Sequence, residues 1–119
     1  MVAAHDLLDL SVLEELRESA GNAVFLEIGE TFTEQIALIV SRLEEPACQN
    51  ALDCLERNAH ELAGAAGTFG ATALAACARD MMVAGRAGDL EKTRALVAPL
   101  SGISSRTLLA FADYCASLP

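Results

Sequence analysis

Phe25, Ile28, Phe32, Ile36, Ile39 and Leu43 recur at intervals of three and four residues, the spacing that lines up one face of an α-helix. A strand alternates its side chains with a period of two, and no stretch of this chain shows that alternation. The stripe therefore predicts a long helix from about Asn22 to Leu43, closed by Pro46, because the residue before a proline is pushed out of the helical region. The same reading runs through the rest of the chain. Val12, Leu13 and Leu16, with Ser11 as N-cap, predict a short first helix that stops near Gly21-Asn22. A third helix is expected from about Ala47 to Phe69, with Leu52, Leu55, Ala59, Leu62 and Ala66 on its buried side.

Gly70 and Thr72 mark a tight break. A fourth helix follows to about Gly85, burying Leu74, Cys77, Ala78 and Met81 or Met82 as core filling. Arg86-Ala87-Gly88-Asp89 reads as a loop, with Gly88 at a helix terminus and Asp89 capping the next start. Leu90 to Leu118 keeps helical spacing through Leu96, Val97, Leu100, Ile103, Leu108, Phe111, Tyr114 and Cys115. Pro99 must kink or restart that helix. Long helices joined by short loops pack antiparallel. The expected fold is therefore all-α, an up-and-down antiparallel four-helix bundle with a short extra N-terminal helix, in one domain over residues 1–119.

Composition narrows the function. Eight Lys+Arg against seventeen Asp+Glu give a formal charge of -9, which argues against binding a nucleic-acid phosphate backbone. No apolar run approaches the roughly 20 residues of a membrane-spanning helix, and His5, Asp6 and Asp9 stand where a signal peptide would be basic and then apolar. A cytoplasmic location and no membrane contact are expected, and no role is assigned to His5. Cys48, Cys54, Cys77 and Cys115 contain no C-x-x-C pair. They read as small buried hydrophobes with no metal-site spacing.

One stretch stands apart, His60-Glu61-Leu62-Ala63-Gly64-Ala65-Ala66-Gly67-Thr68-Phe69-Gly70. Glycine inside a helix costs about 1 kcal/mol relative to alanine, so Gly64 and Gly67 need another reason. On a helical wheel of about 100° per residue, Asp53, Glu56, Arg57, Gly64 and Gly67 fall within roughly 60° of His60, while Leu55, Leu62 and Phe69 point the other way. His60 is thus expected on the exposed face. Helical side chains lean toward the N-terminus, so the residue at i+4 covers residue i. At Gly64 that cover is missing, and with Ala63 and Gly67 it leaves a low surface beside an imidazole. A neutral imidazole is a nucleophile. Glu56 or Glu61 is placed to accept its Nδ1 proton and leave Nε2 free to attack. The alternative is that His60 is one more exposed polar residue and that the glycines permit close helix packing.

These residues resemble the histidine-containing phosphotransfer (HPt) family, whose signature is similar to H-x-L-K-G-[SA]-[SA]-x-x-x-G-A-x-x-L. Here it stands as His60, Leu62, Gly64, Ala65, Ala66, Gly70, Ala71 and Leu74, followed by Cys77. Leu13-Glu14-Glu15-Leu16-Arg17, Phe32 and Ala84-Gly85-Arg86-Ala87-Gly88-Asp89-Leu90 extend the likeness over essentially the whole chain. The resemblance implies a helical bundle whose His60 accepts a phosphoryl group from a receiver-domain aspartyl phosphate and passes it to another receiver aspartate in a two-component phosphorelay. It implies response-regulator receiver domains, or a hybrid histidine kinase, as partners. Mg²⁺ is expected on the partner receiver and no cofactor on this chain. Thr33, Ala37 and Leu38 of the second helix are candidates to flank the site.

The chain departs from the pattern at Ala63, where the family usually has lysine. Arg57, one turn before His60, is the first candidate to replace its charge; Arg79 and Arg86 follow if the fourth helix is suitably rotated. Two other readings compete. An autonomous kinase lacks its parts, because Gly64, Gly67 and Gly70 precede no Gly-Lys-Ser/Thr and follow no strand, so no ATP-dependent kinase activity is expected. The alternative is a non-catalytic helical adaptor that docks receiver domains or kinases. A chain able to build its own four-helix core is expected to be a monomer.

Overall fold

The computed structural model describes residues 4–119, with side chains from Asp6 onward; His5, which carries no role in the sequence reading, has its side chain outside that range. Eight helices follow one another among the described residues. They are α1 (Ala4–Leu7), α2 (Leu10–Ala20), α3 (Asn22–Glu44), α4 (Pro46–Gln49), α5 (Leu52–Thr68), α6 (Thr72–Arg86), α7 (Leu90–Ala95) and α8 (Val97–Ala116). The long helices α3, α5, α6 and α8 close a four-cornered bundle: α5 packs between α3 and α6, and α8 closes the opposite side against the same two. The short helices cover its ends and edges, α2 against α3, α1 against α8 and α6, and α7 against α6 and α5.

The stripe read from the sequence is the core. Phe25, Phe32, Ile36, Ile39 and Leu43 of α3, Leu55, Ala59, Leu62 and Ala66 of α5, and Leu74, Ala78 and Met81 of α6 are buried. All four phenylalanines and the single tyrosine join one cluster. Phe32 stacks on Phe69 with ring centroids 4.3 Å apart, and Phe111 meets both edge-on at 5.2 and 5.7 Å. Phe25 lies 6.1 Å from Phe111 and 5.9 Å from Tyr114. Such offset and edge geometries are the favoured ones for aromatic pairs. They bind α3, the end of α5 and α8 together.

Two glycines end helices as expected. Gly70 takes φ 65°, a left-handed conformation that costs glycine nothing. There Gly70 N–H donates to Gly67 O at 3.2 Å and Ala71 N–H to Ala66 O at 2.8 Å, which satisfies the last carbonyls of α5. Gly88, with φ 74°, does the same for α6 through Asp89 N–H to Ala84 O. The Asp89 carboxylate then caps α7 by accepting from Lys92 N–H.

Two boundaries differ from the sequence expectation. The N-cap of α2 is Asp9, whose carboxylate accepts from both the backbone and the hydroxyl of Ser11; Asp9 N–H is itself tied to Gly70 O at 2.7 Å, so the α5–α6 turn decides which capping residue is used. The expected helix from Ala47 is broken at Asn50-Ala51, with Ala51 extended at φ -126° and ψ 103°. Cys48 and Cys54 span that break as a disulfide with Cα atoms 5.2 Å apart. Six residues of unbroken helix would advance about 9 Å along its axis, beyond the roughly 7 Å a disulfide can bridge. Reading these two cysteines as unpaired hydrophobes is thus corrected, while Cys77 and Cys115 stay free thiols. The last helix restarts at Val97, placing Pro99 in the first turn of α8, where its missing N–H has no helical partner to lose.

Leu90–Ala116 is also the one stretch among the described residues with the length and mean hydropathy, 1.4, to cross a membrane, longer than the apolar runs read from the sequence. It is interrupted at Leu96 and turns Val97, Leu100 and Phe111 into the bundle core.

Candidate functional site

α5 has leucine and alanine at every third or fourth position on one side, and that side is fully buried. The opposite side must therefore face water. His60 is exposed there, with Gly64, Gly67 and Thr68 exposed along the same helix. A Cβ built on Gly64 or on Gly67 would meet no atom within 4 Å. Neither glycine permits close packing. Each leaves the surface C-terminal to the imidazole without side-chain relief.

On its other flank the ring borders an open hollow of ≈ 300 Å³ lined by Asp53, Glu56, Arg57, His60, Met82 and Arg86. Asp53, Glu56 and Arg57 come from the same helix, as the wheel placed them. Met82 and Arg86 come from α6, which runs close to α5 at this point: a Cβ on Gly85 would lie 3.3 Å from Glu56 Cγ. That contact brings the C-terminal end of α6, and with it Arg86, to the histidine. Arg79, exposed one turn and more upstream, does not line this hollow. Two guanidiniums thus stand beside His60, opposed by two carboxylates. Met81 is core, whereas Met82 is half-buried and forms a wall of the hollow, so the pair does not act only as core filling.

The remaining candidates are distributed elsewhere. Ala63 is half-buried against the core. Glu61 is turned toward α3, where its Oε2 lies 3.7 Å from Arg42 Nη1. Among the described residues His60 has no hydrogen bond or ion pair, so neither Glu56 nor Glu61 holds its ring in this state. Leu38, one turn before Arg42 on α3, exposes 52% of its surface beside Ala37, which is also exposed. Thr33 faces the other seam of α3, in a hollow shared with Leu26, Phe111 and Cys115, and its hydroxyl donates to Gly29 O.

A second hollow, of ≈ 380 Å³, lies N-terminal to the first and is lined by Arg42, Glu45, Ala47, Cys48, Cys54, Arg57, Asn58 and Glu61. Arg57 is a wall of both. Arg42 was not singled out from the sequence, Met82 was read there only as core filling, and Cys48 and Cys54 were read there as unpaired. The first two belong to other helices and have no local signature at His60; the cysteine spacing of six residues matches no familiar motif.

The structure is similar to the crystal structure of histidine-containing phosphotransfer protein B (HptB) from Pseudomonas aeruginosa PAO1, with a TM-score of 0.85 at 20% sequence identity, covering 94% of this chain and 96% of that one. At that identity the likeness concerns the fold. No curated protein sequence matches the chain. The family model of the Hpt domain matches residues 11–118, which takes in α3, α5, α6, α8 and the whole of the His60 face. The chain belongs to the Hpt domain family.

Proposed function

We propose that His60 is the phosphoacceptor of this Hpt domain, a phosphotransfer intermediate of a two-component phosphorelay. The observation that carries the reading is an exposed imidazole on a helix whose neighbouring positions Gly64 and Gly67 hold open space rather than packing contacts. A convex, uncovered ring suits a reaction in which the partner brings the other reactant to it.

In the proposed reaction a receiver domain presents its aspartyl phosphate to His60. The lone pair of a neutral ring nitrogen attacks phosphorus; a P–N bond forms as the P–O bond to the aspartate breaks, and the carboxylate departs with the bonding pair. The transferring group carries negative charge throughout, so positive groups held at its periphery lower the barrier. Arg57 and Arg86 are positioned to supply that charge in place of the lysine absent at Ala63. His60 is exposed and has no hydrogen-bond partner among the described residues, so the proton on its second nitrogen is left to solvent. The reverse steps pass the group to another receiver's aspartate. A receiver domain would hold the Mg²⁺, which would offset the charge of the acyl phosphate; this chain contributes the nucleophile and the docking surface around Gly64, Gly67 and Leu38. Response regulators and kinases are the partner classes of the family; we assign receiver domains as the direct partners, a monomer as the working form and the cytoplasm as its location.

The test is transfer from a panel of phosphorylated receiver domains. Acid-labile, alkali-stable label is expected on the wild type and none on His60→Gln. Label on His60→Gln, or none on the wild type with any receiver, refutes the assignment, the second outcome favouring a docking adaptor. With ATP alone and no other protein, no label is expected.

A further inference from the structure

The helix that carries His60 begins without a side-chain cap. Ala51 occupies the N-cap position and makes no capping hydrogen bond, although a Ser, Thr, Asp or Asn there would stabilise the helix by about 1 kcal/mol. What anchors this end is the Cys48–Cys54 bridge, which ties the buried Cys48 of α4 to the first turn of α5. Asn58, itself buried, donates its amide to Cys54 O at 2.8 Å and directs the same nitrogen at Cys54 Sγ and Cys48 Sγ, at 3.5 and 3.9 Å. Cys48, Cys54 and Asn58 therefore line the same hollow as Arg57, and Arg57 is also a wall of the His60 hollow. Cys54, only partly buried, is open to thiol exchange; Cys48 is reached through it.

We infer that the Cys48–Cys54 pair is a redox-sensitive positioning device, in which the disulfide holds the start of α5 and thereby Arg57 against the His60 hollow, and its reduction releases them. The inference rests on His60 being the phosphoacceptor. Formation of the bridge from the dithiol uses a small disulfide such as oxidised glutathione as oxidant. The Cys54 thiolate attacks one sulfur of the disulfide, expelling one thiolate; the Cys48 thiolate then attacks Cys54 Sγ and expels the second. Two cysteine protons and two electrons leave the protein, and one disulfide becomes two thiols. Arg42, Arg57, Glu45 and Glu61 line the hollow into which the two sulfurs' residues open. The other two cysteines do not compete: burial pushes both the Cys77 and Cys115 thiols up, with Asp80 adding to the shift at Cys77, and low thiolate content makes a poor nucleophile.

The experiment compares the protein equilibrated with oxidised or with reduced glutathione, in a Cys77→Ala/Cys115→Ala background that leaves only this pair. Thiol titration is expected to find none and two free thiols respectively. Backbone amides of Leu55–Asn58 should exchange roughly tenfold faster in the reduced form, a readout that needs no phosphoryl transfer. Uptake of phosphoryl from a labelled receiver should slow by roughly three- to tenfold on reduction, because misplacing a positioning group weakens transfer without removing the nucleophile. Cys48→Ser/Cys54→Ser should behave as the reduced protein in both glutathione buffers. Equal exchange and equal transfer in the two forms overturn the device and leave the function standing. Faster exchange with no label on His60 in either form overturns the phosphoacceptor reading, and control of transfer with it.

Discussion

Arg86, the last residue of α6, lines the same hollow as His60 of α5. The two meet because Gly85, having no side chain, lets α6 close onto the stem of Glu56. If these guanidiniums replace the charge missing at Ala63, Arg86→Ala and Arg57→Ala should each slow phosphoryl uptake from a receiver. Both groups are exposed and screened by water, so about three- to tenfold apiece is expected, or roughly 0.7–1.4 kcal/mol of barrier. Arg79→Ala, outside the hollow, should have no effect. Stopped-flow or gel-based transfer kinetics decide it. An unchanged rate in the Arg57→Ala/Arg86→Ala double variant shows that the receiver provides all the charge needed.

Gly64 and Gly67 separate access from packing. Since a Cβ at either site meets open space, Gly64→Ala and Gly67→Ala should stabilise α5 by up to about 1 kcal/mol, raising Tm by about 4 °C for a chain of this size. Gly64→Gln should fold equally well and yet transfer phosphoryl more slowly, because its side chain leans back over the imidazole. Thermal melts and transfer rates measured on the same samples check both halves. A lower Tm for Gly64→Ala is the result that restores a packing role.

Gly29 and Gly70 should respond in the opposite direction. A Cβ on Gly29 would lie 2.9 Å from Phe111 Cζ in the middle of the aromatic cluster. One on Gly70 would lie 2.9 Å from both Asp9 O and Val12 Cβ, at a positive φ. Overpacking of this kind typically costs 1–3 kcal/mol, so Gly29→Ala and Gly70→Ala are expected to lower the urea midpoint by that equivalent without altering the slope. Neither touches the His60 hollow, so transfer per folded molecule should be unchanged.

The chain ends are joined by Glu14, which accepts from the Tyr114 hydroxyl and pairs with Arg17. The Tyr114 bond first, and then Arg17, hold the Glu14 carboxyl below its ordinary 4.5. A lowered carboxyl binds fewer protons folded than unfolded. Its contribution is therefore present above about pH 4.5 and is lost as pH falls through the lowered value. Tyr114 shifts up from 10.0, by burial first and then by Glu14, so its contribution is present below about pH 10 and lost at higher pH. Tyr114→Phe should flatten both limbs of a stability–pH profile from urea melts between pH 3 and 11. Limbs identical to wild type would falsify the assignment.

How much of this was legible beforehand follows from what each residue answers to. The buried stripe of α3, the helix stops at Gly70 and Gly88 and the outward face of His60 depend on local periodicity and local backbone conformation. A single chain segment contains both, and the sequence reading holds there. Ser11 lost the N-cap to Asp9 because a residue far along the chain, Gly70, engages the Asp9 N–H. The helix expected from Ala47 was broken because α4 must carry the chain across from α3 to α5, and the cystine then holds that corner.

The sequence by itself determined that this chain is helical, which sides of its helices are buried and which histidine faces water, since these follow from a 3.6-residue period acting within each segment. Only the tertiary structure decided that Arg86 rather than Arg79 joins His60, that Glu61 turns to Arg42, that Cys48 finds Cys54, and that Gly29 makes room for Phe111. Each of those depends on how one helix is rotated and set against another. That rotation is chosen by the packing of the whole core and is written in no single segment.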